Sequence, residues 1–306
     1  MTNANEVKSM PGLVNTIGKE HASQTGATID QYGNSLNIIP VGTPTRDELE
    51  SYNFERLKYY YAMQASINRG LPFGSVPPAM SSIRKHSRES HPPIEHFMSV
   101  VDYQGILQGF IAGLIKAKRI LEIGTFIGIS AIFHANALKR NGVKGGADET
   151  GHKPIVSFEI SEEYAAKARA NIIEAGVDEY IEIIVGDANK LLAQLEGVTF
   201  DIVFLDADKI SYKGYYETVM DRGLLNKDGL IIVDNTAFES VVAYADAPVP
   251  VADDYKPLGI FAKTDYMSKE WAVALHEFNE HIRNDPRVEV VMIPLFTGIT
   301  LVRFIN

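Results

Sequence analysis

From Phe97 to the end of the chain, short apolar runs alternate with longer amphipathic stretches, and that alternation restricts the fold more than any other feature. The runs RILEIG, PIVSFEI, YIEIIVGD, FDIVFLDA and GLIIVDN are rich in β-branched and aromatic residues and bounded by glycine or acidic residues. That is the pattern of strands buried on both faces. Helical stretches stand between them: ISAIFHANALKR, EEYAAKARANIIEAG, ANKLLAQLE and SYKGYYETVMDRGLL, with a further one over Asp102 to Ala117 ahead of the first strand. Units that alternate in this way build an open parallel sheet with helices on both faces. A final helix, KEWAVALHEFNEHIRND, precedes VEVVMIPL and GITLVRFI, which the turn-prone FTG joins as a terminal hairpin. The expected fold is α/β, a Rossmann-like, doubly wound, seven-stranded and mostly parallel sheet closed by a C-terminal antiparallel hairpin.

The region before Phe97 reads differently. Residues 1–45 are rich in Asn, Ser, Thr and Gly with little periodicity, which predicts a flexible arm. Over 46–96 a helical and loop extension is expected: Leu49, Phe54, Leu57, Tyr61 and Met63 stand near helical spacing, and Gly70 supplies a stop. The proline-bearing segment LPFGSVPPAMSSIRKHSRESHPPIEH then predicts loop and short turns. The main domain follows at 97–306, and residues 236–267 within it, unpatterned and rich in small residues, read as an insertion over the ligand edge, a lid.

At 306 residues with 45% hydrophobic content the chain can bury a full core. A formal charge of -10 disfavours nucleic acid and anionic membrane as partners, because both reward clustered Lys and Arg. The absence of cysteine excludes disulfides, thiolate zinc sites and cysteine nucleophiles. MTNANEVKSM has no apolar signal-peptide core, and no apolar run reaches membrane-spanning length, so a soluble cytoplasmic protein is expected. HEFNEH imitates the start of a zinc-protease helix, but Glu280 stands where the second histidine is required and His281 comes one position late.

Open α/β sheets bind ligands at the carboxyl ends of their strands. FDIVFLDA and GLIIVDN would bring Asp206, Asp234 and Asn235 to that edge together. Two carboxylates about 4 Å apart repel by roughly 4 kcal/mol at an effective dielectric near 20, so the pair calls for a cation or a shared proton. A divalent metal answers that need, and an all-oxygen set suits Mg²⁺, or Mn²⁺ or Ca²⁺, better than zinc. Along the same edge, LEIGTFIGIS puts Gly124 and Gly128, with Phe126 between them, where a strand turns into a helix. This is not the G-x-G-x-x-G of dinucleotide folds, and no basic residue follows to hold phosphates. Glu122 and Ser130 suit the ammonium and carboxylate ends of an amino-acid moiety, the carboxylate gaining from the helix N-terminus. Glu159 suits a ribose diol or serves as an N-terminal helix charge, and Asp187 suits an adenine wall or an N-cap for ANKLLAQLE. This acidic rim would accommodate a cationic sulfonium. Tyr212, Tyr215, Tyr216, Phe238, Tyr255 and Trp271 are candidates for an aromatic pocket and equally for core packing.

With LEIGTFIGIS, FEIS, FLDADK and its tyrosine helix, IIVDNT and DPRVEVVMIPLFTGITLVRF, the chain resembles the cation-dependent class I O-methyltransferases, typified by the caffeoyl-CoA and catechol O-methyltransferases. The resemblance covers roughly Phe97 to Asn306 and implies an S-adenosylmethionine-dependent methyltransferase domain there. It implies that Asp206, Asp234 and Asn235 bind a divalent metal, that Lys209 accepts the proton, and that Glu159 and Ser130 hold the donor's ribose and carboxylate. It further implies a homodimer. The chain departs from the family at Ile210 and Ser211, after LDADK, and at Phe296-Thr297-Gly298, where GDG is usual. Both departures face the acceptor side and turn the reading away from a coenzyme A thioester. The expected activity is methyl transfer from S-adenosylmethionine to a hydroxyl of a small vicinal-dihydroxy aromatic acceptor. The alternatives are a non-catalytic donor-binding regulatory protein and an NAD-dependent oxidoreductase.

Overall fold

The computed structural model of the chain describes residues 62, 65–67, 71–90, 98–237 and 269–305. The 1–45 arm, almost all of the helix expected over 46–70, and all but the first two residues of the 236–267 insertion lie outside them. Residues 62, 65 and 66, inside the expected helix, are helical.

The elements follow the expected alternation. They are α1 (Met80–Ser90), α2 (Asp102–Leu114), β1 (Ile120–Ile123), α3 (Ile129–Arg140), β2 (Ile155–Glu159), α4 (Glu162–Glu174) and β3 (Ile181–Val185). After these come α5 (Ala188–Leu192), β4 (Phe200–Leu205), a 3₁₀ turn at Lys209–Ser211, α6 (Tyr212–Asp221), β5 (Leu225–Val233), α7 (Lys269–Arg283), β6 (Val288–Ile293) and β7 (Ile299–Phe304). The seven strands form one sheet in the order β3-β2-β1-β4-β5-β7-β6. The strands from β3 through β5 pair in parallel, and β7 runs antiparallel to both β5 and β6. The mixed sheet with its terminal hairpin is therefore as the sequence predicts.

Side chains alternate across the strands and sort into two cores. Leu121, Ile123, Val156, Phe158, Val203, Leu205, Ile231 and Val233 pack with α5, α6 and α7 on one face. On the other, Ile120, Ile155, Ile202, Phe204 and Ile232 pack with helices α1 to α4. Period-2 sorting onto two covered faces makes the strands read as unbroken apolar runs. Tyr212 and Tyr216 belong to this packing, each edge-on to Phe278 at 5.6 and 6.2 Å between ring centroids. Gly223, at φ +64°, ends the turn after α6 in the left-handed region where glycine is favoured.

Residues 71–90 correct the sequence expectation. They hold α1 where loop and short turns were predicted. Its polar text, MSSIRKHSRES, conceals an anchor formed by Met80 and Ile83, both fully buried and three residues apart. Pro77 and Pro78 precede the helix rather than break it: the Met80 N–H donates to the Pro77 carbonyl at 3.0 Å, and a proline near a first turn lacks an N–H that would be unpaired there anyway. Arg84 ties the helix to the next segment through Asp102 at 2.6 Å and the Val100 carbonyl at 2.6 Å. ANKLLAQLE is shorter as a helix than expected and ends at Leu192, while β5 begins earlier, at Leu225, after a register irregularity between Phe200 and Ile202 of β4.

Helices α2 and α3 meet at Gly105. A Cβ there would lie 2.4 Å from the Phe133 ring, so the close approach of the helices depends on its absence. Gly105→Ala is expected to cost about 1–3 kcal/mol in urea unfolding, and Phe133→Leu in that background is expected to recover part of the loss. Strict additivity of the two substitutions would contradict this packing account.

Candidate active site

The register of the parallel strands sets the site. Phe158 of β2, Ile123 of β1, Leu205 of β4 and Val233 of β5 stand in one row, so Glu159, Gly124, Asp206 and Asp234 follow at one level along the carboxyl edge. The order in which successive parallel strands are added reverses between β1 and β4, the switch point where such sheets open a crevice. Gly124, at φ +103°, sits in that crevice, and a Cβ on it would lie 2.0 Å from the Asp206 carbonyl oxygen. A cavity of about 420 Å³ opens above the row.

Of the expected site residues, Gly124, Phe126, Ser130, Glu159, Asp187, Asp206, Lys209, Asp234 and Asn235 line this cavity. Glu159 is buried, and its two oxygens accept from the backbone N–H groups of Phe126 at 2.7 Å and Ser161 at 2.9 Å. Phe126 holds φ +47° and packs edge-on to Tyr164 at 4.7 Å. Asp187 caps α5, accepting from the Asn189 N–H at 3.0 Å, and also lines the cavity. Ser130 lies in the first turn of α3, whose N-terminus opens toward the cavity.

Glu122 and Gly128 lie behind the wall rather than on it. Gly128 caps α3 at φ +82°, with its Cα turned to Ala168 of α4. Glu122 points under α3, one residue before the strand end, and is fully buried. It is hydrogen-bonded to Ser157, and Ser157 meets Thr125 at 2.6 Å. Burial above all pushes the Glu122 carboxyl up to about 7; hydrogen bonds from Ser130 and Ser157 oppose this, while the charges of Asp206 and Glu159 add to it. Beside it, His134 Nδ1 is 3.9 Å from Glu122 Oε1, and burial pushes this imidazole down to about 4. Among the described residues neither ring nitrogen nor that carboxyl oxygen has a hydrogen-bond partner.

On the other side of the crevice, Lys209 Nζ donates to Asp206 Oδ1 at 2.9 Å and to the Tyr212 hydroxyl at 2.7 Å. The Tyr212 hydroxyl lies 3.2 Å from the Asp234 carbonyl, to which it donates. Lys209 is buried despite its charge, so this pair of contacts replaces its hydration. Asp234 accepts from Gln104 Nε2 on Oδ2 at 2.7 Å and from the Asn235 N–H on Oδ1 at 2.7 Å. Burial first, and then the facing charge of Asp206, raise Asp234 well above the usual carboxylate range; Lys209, Gln104 and the Asn235 N–H work against the rise. Asn235 Nδ2 donates to Thr297 Oγ1 at 2.5 Å, which leaves the carboxamide oxygen outside that bond. The donor set is thus all oxygen, two confronted carboxylates and one carboxamide, and fits a hard divalent cation that would relieve their repulsion. Among the described residues no group of three or more His, Cys, Asp or Glu gathers to hold a metal, and this set has two.

The aromatic candidates divide. Tyr215 and Trp271 line the cavity, Tyr212 and Tyr216 belong to the core, and Phe238 and Tyr255 lie outside the described residues. Sequence reasoning missed Gln104, Met98 and Val101, which also line the cavity. Gln104 sits in the amphipathic text VDYQGILQG, where a glutamine gives no signal of its own.

A family profile described as O-methyltransferase matches residues 76–305. The caffeoyl-CoA O-methyltransferase of Stellaria longipes is 30% identical over 230 residues, covering 73% of this chain and 82% of that protein. Among solved structures, the SAH-bound methyltransferase PaMTH1 of Podospora anserina superposes with a TM-score of 0.66 at 27% identity, over 88% of this chain and all of that one. The O-methyltransferase TomG of Streptomyces achromogenes, in complex with SAM, gives 0.61 at 25% identity, over 82% and 96%. Among the described residues no helix is long and apolar enough to cross a membrane.

The buried acid and histidine behind the wall respond to pH in opposite senses. Glu122 is raised on folding, so the stability it contributes is present below about 4.5 and lost as pH rises through about 7. His134 is lowered, so its contribution is present above about 6.5 and lost as pH falls through about 4. Removing the acid with Glu122→Gln is expected to stabilise the chain, relative to the unsubstituted protein, by on the order of 3 kcal/mol more at about pH 8 than at about pH 4.5. Urea unfolding at the two pH values measures this difference, and a pH-independent difference would contradict it.

Proposed function

This chain belongs to the O-methyltransferase family, and on that premise we propose that it transfers a methyl group from S-adenosylmethionine to a hydroxyl of a small vicinal-dihydroxy aromatic acceptor, with a divalent cation bound beside Asp206, Asp234 and Asn235. The observation that carries the reading is the confrontation of Asp206 and Asp234 across one end of the cavity, with Lys209 against Asp206 and the Glu159 carboxylate at the other end.

In this reading the donor occupies the half of the cavity between β1 and β3. Glu159 accepts from the ribose hydroxyls, its carboxylate already oriented by the Phe126 and Ser161 N–H groups. Ser130 and the N-terminus of α3 receive the donor's carboxylate, and Asp187 bounds the adenine. Glu122 acts through Ser130 rather than by touching the donor, because it lies behind the wall. The acceptor occupies the other half, where Tyr215, Trp271, Phe296, Met98 and Val101 supply apolar contact for a ring.

The reaction forms a bond between the acceptor oxygen and the methyl carbon and breaks the bond from that carbon to sulfur, giving a methyl ether and S-adenosylhomocysteine. A phenol ionises near pH 10, so its oxygen is a weak nucleophile at neutral pH. The cation, when bound, favours the phenolate by its charge. Asp206, Asp234 and Asn235 would hold that ion, and the walls of the cavity exclude water from the acceptor. In its neutral amine form Lys209 receives the phenolic proton, and the ammonium that results is held by Asp206 and the Tyr212 hydroxyl. Alignment of nucleophile and methyl group can itself contribute about 7–11 kcal/mol of barrier lowering. The same reading includes a homodimer, with the exposed Phe110 and Leu114 of α2 as its apolar patch.

Incubation with labelled donor, Mg²⁺ and a panel of catechols is expected to label the acceptor, and a chelator is expected to abolish transfer. Lys209→Met is expected to lower kcat by about 100-fold or more while S-adenosylhomocysteine still binds. Transfer indifferent to chelator and to Asp206→Ala would overturn the metal-assisted reading.

A further inference from the structure

Gln104 and Thr297 touch the two proposed metal-binding residues of the Asp234-Asn235 pair from opposite directions in the chain. Gln104 comes from α2, 130 positions before Asp234, and its Nε2 donates to Asp234 Oδ2 at 2.7 Å from a buried position. Thr297 lies in the β6–β7 connection, and its Oγ1 accepts from Asn235 Nδ2 at 2.5 Å. Both line the cavity.

Each contact does something the residue it holds cannot do alone. Asp234 is buried and the Asn235 N–H already holds its Oδ1 at 2.7 Å, but a second donor, on Oδ2, is needed to fix the plane of the carboxylate. The Gln104 amide supplies that donor without adding charge. Asn235 has two unlike ends, an amide nitrogen that repels a cation and an oxygen that can ligate one. With the nitrogen donating to the Thr297 hydroxyl, the oxygen is the free end. The Asn235 backbone also sits at φ +60°, a conformation asparagine tolerates better than most residues.

The turn that carries Thr297 is itself clamped to this segment. The Thr236 N–H donates to the Gly298 carbonyl at 3.1 Å, and the Ala237 N–H to the Thr297 carbonyl at 3.0 Å. Thr300 Oγ1 donates to Thr236 Oγ1 at 2.8 Å inside the core. Gly298 has no room for a side chain, since a Cβ would lie 2.4 Å from the Ala237 nitrogen. The hydroxyl of Thr297 is therefore delivered by a turn whose backbone is fastened to the strand end it serves.

We propose that Gln104 and Thr297 are positioning residues, the first fixing the Asp234 carboxylate and the second turning the Asn235 carboxamide oxygen toward a cation. The proposal rests on the metal reading given above. Residues that orient metal ligands in this way typically change metal affinity by about ten- to a hundredfold when removed.

The test titrates Mn²⁺ into the full chain and reads bound and free ion by electron paramagnetic resonance, with S-adenosylhomocysteine binding measured calorimetrically on the same samples. Gln104→Met and Thr297→Val are each expected to weaken Mn²⁺ binding by about ten- to a hundredfold, with S-adenosylhomocysteine affinity unchanged. Thr297→Ser keeps the hydroxyl and is expected to retain Mn²⁺ affinity. Unaltered Mn²⁺ affinity in Gln104→Met and Thr297→Val overturns the positioning role alone, as does equal loss in Thr297→Ser and Thr297→Val. Parallel loss of S-adenosylhomocysteine binding also overturns it, because that marks a general structural role. An unsubstituted chain that takes up no Mn²⁺ overturns the metal reading and this proposal together.

Discussion

The parallel pairing of β4 with β5 is the constraint on which the site depends. Leu205 stands opposite Val233, and the Asp234 N–H donates to the Leu205 carbonyl at 3.0 Å. That register brings Asp206 and Asp234 out of the sheet side by side. A slip of one residue would send every side chain of one strand to the other face, so two packed cores hold the register as firmly as they hold the fold. The Asp206 N–H likewise donates to the Ile123 carbonyl, and Gly124 closes against the Asp206 backbone. The carboxylate pair is unfavourable by itself, and the apolar sheet beneath supplies the stability that keeps it in place.

The two halves of the cavity manage charge by different means. Glu159 is buried but accepts two backbone N–H groups, which stabilise an ionised carboxylate without a cation. Asp206 is hydrogen-bonded to Lys209, whereas Asp234 accepts from the neutral Gln104 amide and its own neighbour's N–H and gains from Lys209 through its charge. Burial and the like charge of Asp206 consequently both raise Asp234, and a cation bound there would relieve both. Glu122 takes a third course. Ser157 donates to its carboxyl, and Thr125, 2.6 Å from the Ser157 hydroxyl, donates to the Phe158 carbonyl, so buried hydroxyls serve it in place of a cation.

Most of the strand edge was legible in the sequence because its signal is local. FDIVFLDA and GLIIVDN each end an apolar run in an acid, and a parallel sheet turns that one-dimensional coincidence into proximity. Glu122 shows the limit of the same reasoning. Its place in LEIG marks it as near the edge, but which of two alternating faces it takes depends on α3 above it, and it takes the covered one. Gln104 and Thr297 were illegible as contacts because their partners lie far along the chain, at separations of 130 and 62 residues. Helix α1 was hidden for another reason: Met80 and Ile83 anchor it within a segment too polar to show a period.

The central claim is that the confronted carboxylates at the ends of β4 and β5 are a cation site shared with the acceptor. The most direct measurement is a crystal structure of the chain with Mn²⁺, S-adenosylhomocysteine and a catechol, with the ion located by its anomalous scattering. The account predicts one Mn²⁺ peak with oxygens of Asp206, Asp234 and Asn235 in its coordination sphere and both catechol oxygens completing it. A catechol seated in the cavity with no anomalous peak between Asp206 and Asp234, or with the ion bound elsewhere, would contradict it.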